Sequence, residues 1–246
     1  LEYILEAAHQ NPLVGLVMAG NDLCITSERN YKSDINESSI KVWNLKTQSL
    51  VNCFERAHDG EAGLLATTED NKLLVSVLTA KPTENSDKRD YTIKVWNLEE
   101  GKNVAKMSSN TKKIRALALT QDSKSAVTWD SDGLLTLWNL KNKSKELSLK
   151  LRTKGEALIV TSDNKFVITG SDTGAIDVWN LQNGKKVSTY GETPSESIKS
   201  MRITKDNQYL FCAYPDSVRM FSTGFTNKNS LKDEVNLLSN CSLKHY

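Results

Sequence analysis

Three histidines in 246 residues leave little from which to build a metal centre, which needs three or four such ligands gathered at one point. The four cysteines, Cys24, Cys53, Cys212 and Cys241, include no CxxC spacing. Cys24 and Cys212 lie in apolar strand-like runs, where a thiol behaves as a small buried hydrophobe, and a reducing, cytoplasmic setting is the expectation. No run approaches eighteen apolar residues, so no membrane insertion is expected, and no signal peptide is visible. The net charge of +2 implies no global pull toward nucleic acid or a membrane surface. Neither a phosphate-cradling glycine loop nor a nucleophile elbow is present, so the expectation is no enzyme and no cofactor. Helical spacing is absent nearly everywhere, Leu231–Leu238 being the one weak candidate.

What is there is repetition. Ile40-Lys41-Val42-Trp43-Asn44-Leu45 recurs letter for letter at Ile93–Leu98 and with small changes at Leu135–Leu140 and Ile176–Leu181. A faint fifth copy, Val218–Ser222, has Phe221 at the tryptophan position. A period near forty signals a repeat array. Side chains alternate along a strand, so Ile40 and Val42 face one side and Trp43 the other. Apolar groups on both sides predict a sheet squeezed between two neighbours, with Trp43, Trp96, Trp138 and Trp179 as structural residues.

Each copy follows two strand-like runs joined by a polar turn, as in Ala157–Val160, Thr161–Lys165, Phe166–Thr169, and precedes a fourth run such as Lys186–Tyr190. The recurring Thr-x-Asp suits a turn, since both short side chains bond nearby backbone. The reading is all-β, in units 13–54, 60–107, 113–149, 155–190 and 197–222, each of four short antiparallel strands, with Leu1–Ala7 as a leading outer strand. The tail 223–246 reads as a closing strand or an unstructured end.

Four-stranded units at this period resemble the WD40-repeat β-propeller family. The resemblance rests on Ile-x-Val-Trp-Asn-Leu, on Gly170–Gly174 before the fourth copy, and on His9 and His58 in blade-linking positions; it covers roughly residues 1–222. It implies an all-β propeller of four-stranded blades, a structural role for His58, and Asp132 in the tight turn that the family ties to its histidine. The departures are Trp-Asn where the family has Trp-Asp, and no histidine before units three to five. The His–Asp network is therefore expected to be mostly absent, leaving the units to apolar packing and modest stability. Five units fall short of the family's usual seven. Because the chain begins at Leu1, it reads as a segment of a longer protein, the ring being completed elsewhere or closed by Tyr3–Leu5 against the tail.

Asp172-Thr173-Gly174 spells the aspartic-protease triplet, but that chemistry needs two carboxylates sharing a proton, and no second triplet exists. It reads as a turn. Lys141, Lys143, Lys145, Lys150, Arg152 and Lys154 form a basic run, read as an edge strand guarded by lysines or as a patch for an anionic partner. No aromatics interleave, so nucleic-acid stacking is not expected. Units one and two carry long insertions, Ser27–Ser38 and Leu78–Tyr91. Loops of one type emerge on one face, which places Arg29, Tyr31, Lys32, Lys81, Lys88, Arg89 and Tyr91 side by side as candidates for partner binding. Trp129, at the position of Gly170, either packs under a neighbouring loop or, if exposed, anchors an interface.

The function expected is a non-catalytic scaffold for protein partners. The alternative is a regulatory or sensing propeller of a multidomain effector, nucleotide-binding or kinase-like, taking an anionic or small ligand.

Overall fold

The computed structural model describes residues 11–29, 38–79, 91–109, 112–190 and 196–224. Among them every regular element is a β-strand, and the strands form five antiparallel sheets in chain order. The first sheet is β1 (Leu13–Ala19), β2 (Leu23–Glu28), β3 (Ser38–Asn44) and β4 (Ser49–His58). The second is β5 (Leu64–Thr67), β6 (Leu73–Val77), β7 (Tyr91–Asn97) and β8 (Lys102–Ser109), and the third is β9 (Ile114–Leu119), β10 (Ser125–Asp130), β11 (Leu134–Asn139) and β12 (Ser144–Lys150). The fourth is β13 (Gly155–Val160), β14 (Phe166–Ser171), β15 (Ile176–Asn180) and β16 (Lys186–Tyr190). The fifth has three described strands, β17 (Ser200–Ile203), β18 (Tyr209–Ala213) and β19 (Val218–Ser222). No helix among the described residues is long and apolar enough to cross a membrane. The expected helix at Leu231–Leu238 and the closure by Tyr3–Leu5 lie outside the described residues.

Two kinds of turn repeat because the same local chemistry repeats. Between the first and second strands, the Thr68 hydroxyl accepts from Leu73 N–H at 3.0 Å and donates to the Asp70 carboxylate at 2.6 Å. The Thr161–Asp163 and Thr204–Asp206 turns are built alike. The residue after each aspartate sits at φ near +60°: Asn71, Ser123, Asn164 and Asn207. Asparagine tolerates that region better than most side chains. It also reaches back to the previous turn: Asn164 Oδ1 accepts from Gln121 N–H at 2.7 Å, and Asn207 Oδ1 from Ser162 N–H at 2.9 Å. Between the third and fourth strands, the asparagine after each tryptophan caps the turn. Asn44 Oδ1 accepts from Lys46 and Thr47 N–H, and Asn97 Oδ1 from Glu99 and Glu100 N–H. Trp-Asn is thus a turn signal as well as a packing one.

The sheets stack face to face. Their first strands are neighbours in order, β1 with β5, β5 with β9, β9 with β13 and β13 with β17; among the described residues no contact of that extent joins β17 to β1. Four apolar clusters fill the gaps between successive sheets. In each gap the Ile-x-Val face of one sheet meets the aromatic of the next: Ile40 and Val42 share a cluster with Trp96, Ile93 and Val95 with Trp138, Ile176 and Val178 with Phe221. The end sheets each have one face with no such neighbour. Nine of the eleven exposed large hydrophobics among the described residues lie on strands of those two sheets, Leu16, Met18, Phe211 and Met220 among them.

Packing is tightest between the third and fourth sheets. A Cβ on Gly155 would lie 2.7 and 2.8 Å from Trp129 Cζ3 and Cη2, and would also strike the Gly170 carbonyl. Neither obstacle can swing away, so Gly155→Ala is expected to cost about 2–3 kcal/mol, the upper end for overpacking. Urea unfolding checks this, and Trp129→Leu in the same chain should recover part of the loss.

Candidate functional site

The pairing register fixes which end of the array collects charged groups. Leu13 pairs with Glu28, Leu64 with Val77, Ile114 with Asp130 and Gly155 with Ser171. The starts of the first strands therefore lie beside the connections from second to third strands, the end from which both long insertions arise. Arg29 stands at the root of one and Tyr91 at the root of the other, where it opens β7 half-buried. Tyr31, Lys32, Lys81, Lys88 and Arg89 lie outside the described residues.

In the third and fourth sheets this connection is a tight turn. The Asp130 carboxylate accepts from Asp132 N–H at 3.0 Å and Leu134 N–H at 2.8 Å. Ser171 Oγ does the same for Thr173 and Ala175 N–H, and Gly133 and Gly174 both take φ +84°. Asp130 is thus the aspartate that ties this turn's backbone together. Asp132 points outward to Lys112 at 3.3 Å, both partly exposed. The contrast is measurable: Asp130→Ala should cost about 1 kcal/mol, since two part-buried N–H groups lose their acceptor, whereas Asp132→Ala should stay within about 0.5 kcal/mol. Paired thermal melts decide between them. Asp172 lies exposed in the matching turn of the fourth sheet.

Trp129 is fully buried, so it presents no indole to a partner, and the interface role reserved for an exposed ring does not apply. It packs among Ala116, Leu151 and Leu158 between the third and fourth sheets. Its Nε1 has no acceptor among the described residues.

The other tryptophans do have acceptors, a pattern that the expectation of apolar packing alone overlooked. Trp43 Nε1 donates to Thr26 at 2.9 Å, Trp96 to Ser76 at 2.8 Å, Trp138 to Thr128 at 2.8 Å and Trp179 to Thr169 at 3.1 Å. Each hydroxyl lies two residues beyond the cross-strand partner of its tryptophan. In the fifth sheet the indole is replaced by Phe221 and the hydroxyl by the buried Cys212, two residues beyond its partner Leu210. Donor and acceptor are lost together, which leaves no orphaned polar group. The signal was in the sequence, as a Ser or Thr two residues before Leu78, one before Trp129 and one before Gly170.

His58 ends β4 with no exposed surface. Its Nε2 lies 2.7 Å from Ser76 Oγ and its Nδ1 3.3 Å from Thr92 Oγ1. Because Ser76 already accepts from Trp96, its own proton is used best on Nε2, with Nδ1–H donating to Thr92. Burial, reinforced by the Lys94 and Lys106 charges, pushes the imidazole down to about 3. The ring is therefore neutral and structural at ordinary pH.

At the mouth of the first four sheets lies an open cavity of about 210 Å³. Val14, Leu64 and Ile114 supply its apolar lining, and Glu61, Lys113, Arg115 and Glu156 its charged one. Arg115 pairs with Glu156 at 2.6 Å. Glu61 is a knot: its carboxylate takes Arg29 Nη1 at 3.0 Å and the Thr79 hydroxyl at 3.2 Å, and its carbonyl accepts Thr79 N–H at 2.8 Å. The roots of both insertions are thereby tied to one residue. Gly63 has to be glycine here, since a Cβ would strike the Thr79 hydroxyl. The basic run lies elsewhere, along the outer edge strand β12, with Lys145 Nζ 5.4 Å from the centre of the Trp138 ring.

No protein-family model matches the chain, and no curated protein matches it.

Proposed function

We propose that this chain is a WD40-like β-propeller segment that serves as a non-catalytic platform for other proteins, meeting them at the end of the sheets where the second strands hand over to the third. The observation that carries the reading is the Arg29–Glu61–Thr79 knot, which roots both insertions beside one cavity. Binding groups concentrate on loops held by a rigid scaffold, and here the scaffold holds the roots of two loops together. Supporting it, the repeat spaces its indole–hydroxyl pairs regularly from sheet to sheet, and the most deeply buried imidazole is occupied by Ser76 and Thr92. The cavity of about 210 Å³ is smaller than the roughly 300–1,000 Å³ of sites that enclose a small-molecule ligand. Likeness of fold alone assigns no function, so the reading rests on this surface.

The test replaces residues 30–37 and 80–90, singly and together, with short glycine-serine turns and compares the captured partners by quantitative mass spectrometry. A defined subset of partners should be lost in the double replacement. An unchanged set, in a protein that melts like the parent, overturns the reading.

A further inference from the structure

We propose that the cavity at the mouth of the first four sheets seats an acidic side chain of an extended peptide, with Lys113 pairing its carboxylate and the partly exposed Val14 and Leu64 covering the aliphatic residue beside it. The inference rests on the platform reading and adds a ligand chemistry to it.

Charge is the first ground. The two acids of the lining are already matched, Glu61 by Arg29 at 3.0 Å and Glu156 by Arg115 at 2.6 Å. Lys113 is exposed, and among the described residues no carboxylate pairs with it. Three cations against two acids leave one positive charge, so an incoming carboxylate finds a partner without breaking a pair. An incoming lysine or arginine would have to displace one of the resident arginines.

Presentation is the second. The Lys113 carbonyl accepts Ser131 N–H at 2.8 Å, and the next residue, Ile114, is fully buried. The ammonium therefore extends from a fixed main chain, and only its own rotamers must be ordered on binding. Size is the third. About 210 Å³ admits one or two side chains, and the accessible apolar groups, Val14 and Leu64, come from two different sheets, as suits a segment crossing the strand starts.

The probes are the capped peptide Ala-Leu-Glu-Leu-Ala and its glutamine counterpart, titrated into the full chain with labelled Ile, Leu and Val methyls. The glutamate peptide should shift the Val14 and Leu64 methyls saturably, with Kd at least about fivefold below that of the glutamine peptide, the scale of one charge-assisted hydrogen bond. Lys113→Gln should abolish the preference, while Lys112→Gln, whose partner is Asp132, should keep it. Equal binding of the two peptides, shifts confined to other methyls, or a preference surviving Lys113→Gln overturns the proposal. A chain blind to the glutamate that still loses partners on loop replacement keeps the platform reading and loses this one.

Discussion

Trp138→Ala is expected to lower the unfolding free energy by about 3–5 kcal/mol, the cost of emptying a large buried aromatic site. The ring is 4% exposed and fills the gap between the second and third sheets beside Val75, Ile93 and Val95. Two rigid sheets cannot collapse onto the hole without disturbing both neighbours, which favours the upper end of the range. Trp138→Phe separates packing from hydrogen bonding. It keeps most of the ring, removes the N–H that reaches Thr128 at 2.8 Å, and should cost about 1–2 kcal/mol. The fifth sheet, with Phe221 and Cys212, shows the compensated alternative. Thr128→Cys combined with Trp138→Phe should therefore cost about 1 kcal/mol less than the two single changes summed. Trp129→Phe is the control, since among the described residues its N–H has no acceptor to lose. Urea unfolding of the set decides: strict additivity, or a loss below about 2 kcal/mol for Trp138→Ala, removes the indoles from their role between sheets.

Acid should destabilise the protein through His58 before it reaches the carboxylates. The folded ring titrates at about 3 against an ordinary 6.5, so between those values the unfolded chain binds a proton that the folded chain refuses. Stability is complete above pH 6.5 and falls as pH drops, by roughly 1.4 kcal/mol per unit, or roughly 4–5 kcal/mol by pH 3. Protonation would also make Nε2 a donor toward Ser76 Oγ, which already accepts from Trp96, in a site flanked by Lys94 and Lys106. The Thr-x-Asp turns act lower. The Thr68 hydroxyl and the Lys72 N–H hold Asp70 below its usual 3.8, so its contribution is present above 3.8 and lost only beneath it. Among the described residues His58 is the sole histidine, and comparison with His58→Gln isolates its share of the slope between pH 6.5 and 4.5. Unfolding free energies across that interval should lose this slope in His58→Gln; a variant as steep as the parent would refute the assignment.

Why some residues were legible and others were not follows from range. Asn44, Asn97 and Asn180 were seen as part of a motif, and their turn-capping is local, set by backbone within three residues. Asp130 and Asp132 sit two residues apart in the same turn, and spacing alone did not say which would face inward; the antiparallel pairing of β10 with β9 at Ile114 did. Trp129 was ambiguous for a related reason. Its strand position resembled a turn mouth, but Gly155, on the next sheet, leaves the room that buries the ring. Within the candidate site, Arg29 was anticipated as a loop residue, while Glu61, Lys113, Arg115 and Glu156 were not, because the link between the first two sheets and the starts of the third and fourth bring them to one mouth.

By itself the amino-acid order determined the β-class, the rough strand positions of the first four units and the two-sided character of Ile-x-Val-Trp, since all three depend on alternation and turn chemistry acting over a few residues. The tertiary structure alone decided that His58 would be held neutral, and that, among the described residues, one lysine would stand without a carboxylate beside an apolar floor. Those outcomes depend on how closely groups some twenty to forty residues apart approach and on how much water is excluded between them, and no local pattern encodes either distance or desolvation.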